Sequence, residues 1–139
     1  MKTRMMKMMG WMLMIVGIMS LTSCEVEIRP WYDDVHHSNN TYELCSRIWE
    51  ETWIENGNRY TQRLYFNNNR TGRDYVRIEY RDGCVSEDTY HFKWRWDDDD
   101  CIRMEYGPGD ISYLENIRLY SNTLTGYLDD VKVVFKGRL

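Results

Sequence analysis

No stretch of this chain is apolar for long enough to cross a bilayer as a helix. The longest, Met8 to Leu21, covers about 14 residues where a span needs roughly 20. Past the first 23 residues no 3.6-residue periodicity is sustained, which argues against a helical bundle. Signatures of catalysis are missing too: there is no Gly-x-Ser-x-Gly, no His-Glu-x-x-His and no Gly-rich phosphate loop. Carboxylates are too common for any pair to stand out. Histidine is scarce, at three residues, and only His91 falls in the patterned part. A basic excess is absent as well. The chain has 18 Lys and Arg against 22 Asp and Glu, a net charge of −4, whereas nucleic-acid binding wants a basic patch. Together these absences point to a chain that is not an enzyme and has no cofactor and no nucleic-acid partner.

What is present begins with a three-part leader. Lys2, Arg4 and Lys7 precede the apolar stretch, and small residues follow it, as in a secretory signal. The run Leu21-Thr22-Ser23-Cys24 resembles the lipobox of bacterial lipoproteins. That resemblance implies that residues 1–23 are removed and that Cys24 carries a lipid. The partner it implies is a membrane of the bacterial cell envelope. The implied address is the outer membrane, on its periplasmic or surface side. A plain secretory peptide cut elsewhere is the rival reading. Eight of the nine methionines leave with the leader, so its Met-rich character says nothing about binding. Of the 18 basic residues 15 remain, and the balance over the remaining 116 residues is −7. That length points to a single domain with a thin core.

Residues 24–43 read as a tether, without sustained period and with one of the two prolines, Pro30. Acidic residues just after Cys24 resemble surface-export signals of Bacteroidota lipoproteins; a solvated spacer is the plainer reading. Asp33, Asp34, His36 and His37 offer transition-metal donors, but in a flexible segment with no cysteine nearby. No metal site is assigned to them. Asp97 to Asp100 offer oxygen ligands for Ca²⁺, yet without the Asp-x-Asp-x-Asp-Gly pattern they read as a solvated turn.

From Cys45 onward the pattern is β. Eight runs rich in Tyr, Trp, Ile and Val alternate with short Gly, Asn and Asp turns. They span about 46–55, 59–66, 72–80, 88–96, 101–106, 111–120, 123–128 and 131–138. The fourth is the clearest: Tyr90, Phe92, Trp94 and Trp96 alternate with His91, Lys93 and Arg95. Short loops favour an antiparallel meander, and closing it removes exposed edges. The expected fold is therefore all-β, an eight-stranded antiparallel up-and-down barrel over residues 44–139. A two-sheet sandwich is the alternative.

Trp49, the hairpin Leu64-Tyr65-Phe66-Asn67-Asn68-Asn69-Arg70-Thr71-Gly72, Phe92-Lys93-Trp94 and the closing Val133-Val134-Phe135-Lys136 resemble small lipocalin-like lipoproteins of Bacteroidota. The resemblance implies a barrel and no catalytic residues. The Gly-x-Trp of the wider lipocalin family is absent, with Arg47 at the position of its Gly.

The expected interior comprises Trp49, Trp53, Leu64, Phe66, Tyr90, Phe92, Trp94, Trp96, Ile102 and Met104, joined by Ile117 and Leu119. An eight-stranded barrel is wide enough either to be filled by side chains or to hold one small ligand. Two readings follow: a carrier of a small apolar ligand, or a packed barrel that docks to another envelope protein. A ligand mouth is expected at the end away from Cys45, among loops 55–58, 81–88, 107–110 and 129–130. Three cysteines remain after Cys24, in a compartment that permits disulfides. An up-and-down course puts Cys45 and Cys101 at one end and Cys84 at the other, about 26 Å away. Cys45–Cys101 is the pairing that course allows; three reduced thiols is the alternative.

Overall fold

The computed structural model describes residues 38–139. The leader, Cys24, most of the expected tether and the Asp33–His37 donors lie outside the described residues. One short helix, α1 (Ser38–Cys45), is followed by eight strands: β1 (Ile48–Glu55), β2 (Asn58–Phe66), β3 (Thr71–Glu79), β4 (Val85–Asp98), β5 (Cys101–Gly107), β6 (Asp110–Tyr120), β7 (Thr123–Leu128) and β8 (Val131–Arg138). Each strand pairs antiparallel with the next, and β8 pairs with β1, closing the barrel. The fold is all-β, up-and-down and lipocalin-like, and the sandwich alternative falls away.

Turn chemistry explains the hairpins. Asn56 and Gly57 take φ of 52° and 81°, and Asp129 and Asp130 take 46° and 70°. Two successive positive φ values make the tight turn whose twist matches the flanking strands. Gly72 serves a different need. A Cβ there would run into the Phe92 ring and come within 2.5 Å of the Tyr65 carbonyl, so only glycine lets β3 lie this close to the aromatic core.

Alternation then sorts the side chains. Leu64, Phe66, Phe92, Trp94, Ile102, Met104, Leu114, Leu124, Val133 and Phe135 face inward and are buried. The same phase sends the strand arginines and lysines outward. There Arg63 and Arg138 close on the carboxylate of Glu50 at 2.6 and 2.5 Å.

The helix is a departure from the tether expected through residue 43. Its sequence, SNNTYELC, is too short and polar to stand alone. Tertiary contacts hold it. Leu44 is fully buried in the core cluster, the Leu44 carbonyl accepts from Trp49 Nε1 at 2.9 Å, and Thr41 Oγ1 accepts from Trp96 Nε1 at 2.9 Å. The helix therefore stoppers one end of the barrel, its floor.

The opposite end is not evenly closed. β4 runs 14 residues and β5 only seven, so their pairing stops at Lys93–Glu105 and β4 continues past it. β1 pairs with β8 only over Ile48, Trp49 and Glu50. Just above, the Glu51 carboxylate sits in the seam and accepts from the Val134 N–H at 3.5 Å. The half-sheets β1–β4 and β5–β8 are thus stitched near the floor and part toward the top.

Candidate functional site

The lower interior is filled. Phe66 packs edge-on against Phe92 and Trp94, with ring centroids 5.5 and 5.6 Å apart, and Trp94 meets Trp96 at 6.5 Å. The buried indole N–H of Trp94 reaches the carbonyls of Asn67 and Thr71 at 3.2 and 3.1 Å, so the ring is both packed and hydrogen-bonded. Of the ten residues expected inside, Trp49, Leu64, Phe66, Phe92, Trp94, Ile102 and Met104 are buried. Trp53 and Trp96 are half-buried, and Ile117 and Leu119 pack partly against the core. Tyr90 is the correction. Its register opposite Asp74 puts it on the inner face, but it is 37% exposed. The reason is that β4 there stands beyond the end of β5, with no strand across from it among the described residues.

Above this core the inner face turns polar. Asp74 is fully buried and Gln62 nearly so. Gln62 Nε2 donates to both Asp74 oxygens, at 3.0 and 3.2 Å, and Tyr106 O–H donates to Oδ2 at 2.9 Å. No cation belongs to this set, so burial dominates and raises the Asp74 carboxyl to about 6, against the pull of the hydrogen bonds from Gln62 and Tyr106. Burial, then the nearby Asp74, hold the Tyr106 hydroxyl well above its usual range. Beside them Ser112 Oγ donates to Asp129 at 2.7 Å, and the rings of Trp53 and Tyr60 stack at 5.3 Å, 12° from parallel. Register places Glu51, Glu55, Asp74 and Asp88 on the inner face, and no Lys, Arg or His among the described strand residues. Sequence reading missed Asp74, although the phase Gly72, Asp74, Val76, Ile78 points it inward.

A shallow cleft of about 130 Å³ lies at the floor, lined by Cys45, Arg47, Ile48, Tyr65, Phe66 and Arg138 among others. Its position is opposite to the mouth expected among the upper loops, because α1 leaves a gap beside the β2–β3 turn. Cys45, Cys84 and Cys101 are all free thiols, which corrects the Cys45–Cys101 pairing. The two share an end but not a neighbourhood. Burial raises the Cys45 thiol, whose charged neighbour is Arg70. Cys101 is pushed up to about 11 by burial and by Asp97, Glu115, Asp100 and Asp98. Of the four Asp expected in a turn, Asp97 and Asp98 end β4 and only Asp99 and Asp100 make the turn; Asp97 lies 3.8 Å from Arg95 and the Asp99 N–H donates to the Asp98 side chain at 2.8 Å. Among the described residues no group of three or more Asp, Glu, His or Cys is arranged to hold a metal.

No known protein family matches the chain, and no curated protein or solved structure matches it. The class defined by fold and interior is therefore that of a small lipocalin-like barrel with a packed lower core and a polar, partly opened upper half.

Proposed function

We propose that the protein is a non-catalytic interaction module of the bacterial cell envelope, held to its membrane by lipid on Cys24. The filled lower interior carries this reading. An apolar-ligand carrier needs a calyx of at least a few hundred Å³, and the space where one would lie holds Trp49, Phe92, Trp94 and Phe135 instead. The upper half, with a buried carboxyl and no cation, is a poor host for an apolar molecule. Binding then falls to the exposed strands and loops around the top. The lipobox-like Leu21-Thr22-Ser23-Cys24 supports the anchor.

Native mass spectrometry of the mature protein tests the module. The expected result is a clean apo mass plus the lipid on Cys24, and a co-purifying apolar ligand refutes it. Metabolic labelling with a fatty-acid analogue tests the anchor. The label is expected on the wild type and lost in Cys24→Ser; equal labelling of both refutes the lipid assignment.

A further inference from the structure

On the outer wall of β8, β1, β2 and β3 the balance of charge changes along the strands. Toward the top the arginines meet carboxylates: Arg77 lies 3.1 Å from Glu79 and 3.7 Å from Glu87, and Arg59 lies 3.9 Å from Glu79. Toward the floor they do not. Register lines up Arg138, Ile48, Tyr65, Arg73 and His91 as one outward row across neighbouring strands. The row above it runs Lys136, Glu50, Arg63 and Tyr75. Glu50 is the one carboxylate in the two rows. It is 10% exposed and already held by Arg63 and Arg138. Arg73 rests over the Tyr65 ring at 4.3 Å, and Lys136 Nζ donates to Thr123 Oγ1 at 3.3 Å. Arg47 carries the patch onto the floor. Its stem crosses Gly137, and it lines the floor cleft with Arg138, Ile48 and Tyr65.

We propose that these two rows and the cleft form a docking face for the anionic phospholipid surface that holds the anchor. The proposal rests on the lipid on Cys24; it seats the floor on the membrane and leaves the top clear for a partner. Charge complementarity argues for that occupant. Without the leader the chain is acidic, at −7, yet this face gathers Arg47, Arg63, Arg73, Lys136 and Arg138 around a single satisfied carboxylate. An anionic bilayer therefore repels the domain in other orientations and attracts it in this one. Ser38 follows Cys24 by 14 residues, a reach of at most about 50 Å, so the surface stays at high effective concentration beside this end. The lower row crosses four strand spacings, about 19 Å. That is too wide for one free phosphate and suits an array of headgroups. Guanidinium forks take phosphate oxygens in pairs. Between the cations Ile48, Tyr65 and Tyr75 offer the mixed apolar surface that sits well at a headgroup boundary. The acids of this end, Glu43 on α1 and Asp97 to Asp100 about the β4–β5 hairpin, lie outside both rows.

The test reconstitutes the full lipidated chain into phosphatidylcholine vesicles with and without phosphatidylglycerol. Phenylglyoxal modification of arginines is followed by peptide mass spectrometry. With phosphatidylglycerol, Arg47, Arg73 and Arg138 are expected to react about tenfold more slowly or less, while Arg59 and Arg81 at the far end react alike in both vesicles. High salt is expected to abolish the difference. Arg73→Gln is expected to lower the ratio of docked to free domain about fivefold, the share of one cation near such a surface, read as faster modification of Arg47 and Arg138. Unchanged rates of this variant in phosphatidylcholine show that it folds. Equal rates in the two vesicles overturn the docking face, as does full protection in Arg73→Gln. Protection by inorganic phosphate in phosphatidylcholine vesicles overturns the bilayer as occupant, and protection there that needs an envelope extract does so in favour of a protein. The anchor is read separately, by flotation with phosphatidylcholine vesicles. A chain that floats only with phosphatidylglycerol loses the lipid on Cys24 and keeps the docking face.

Discussion

Replacing Asp74 by Asn makes the barrel more stable at neutral pH and equal to wild type in acid. Asp74 is fully buried, and its carboxyl titrates at about 6 in the folded protein against 3.8 when free. The folded state therefore keeps its proton in a window where the unfolded chain has lost it. Stability from this group is complete below about pH 4 and is lost as the pH rises through about 6. Two pKa steps of about 1.4 kcal/mol each put the loss near 3 kcal/mol above that window. Asn carries no charge at any pH. After an amide flip the Gln62 carbonyl accepts from the Asn NH₂, and Tyr106 still donates to the Asn oxygen, so the cluster stays satisfied. Urea unfolding of both proteins across the window is the assay. The expected difference is near zero at about pH 4 and about 3 kcal/mol in favour of the variant at about pH 7.5. Parallel stability curves for the two proteins, or a variant weaker than wild type at neutral pH, refute the argument that an uncompensated buried charge sits at this position.

The floor and the close approach on β3 give further checks. Leu44→Ala empties the stopper and is expected to cost about 2–5 kcal/mol in urea unfolding, while Tyr42→Ala, on an exposed position of the same helix, has little effect. Gly72→Ala drives a methyl into Phe92 and the Tyr65 carbonyl, with a loss of about 3 kcal/mol or more and a red-shifted tryptophan emission as Trp94 loosens. Alkylation followed by peptide mass spectrometry should modify exposed Cys84 first. Cys45 and Cys101, both raised by burial, should lag behind it because the thiolate is the reactive form.

The strands were legible because each one shows its two faces in the letters. Tyr90 to Trp96 alternate ring and charge without a break, and Asn56-Gly57 and Asp129-Asp130 mark turns that only positive φ can make. α1 was not legible. Its one fully buried residue is Leu44, with Cys45 packed beside it, and such adjacent anchors leave no periodic trace in eight residues. Tyr90 was placed on the correct face and at the wrong depth. Alternation fixes the direction of a side chain, whereas its burial depends on how far the facing strand extends, and β5 stops short. Asp74 was within reach of the same alternation. A carboxylate between Gly72 and Val76 on an inward phase is itself a signal, because a buried acid has to find donors. That β4 outruns β5 is not legible in the letters, since it arises from a mismatch in strand length rather than from any residue.

The stopper helix also decides where tension enters. Among the described residues α1 comes first, so a pull from the proposed anchor meets it ahead of the strands, where Leu44 in its socket and the Thr41–Trp96 bond resist. Behind it lies the seam of β1 with β8, joined by only three residue pairs at that corner. With the anchor proposed on Cys24, the shortest seam among the described strands and the point of attachment would share one load path. A sideways tug on a domain anchored in this way is expected to draw the stopper and unzip β1 from β8 ahead of the long ladders of β2, β3 and β4.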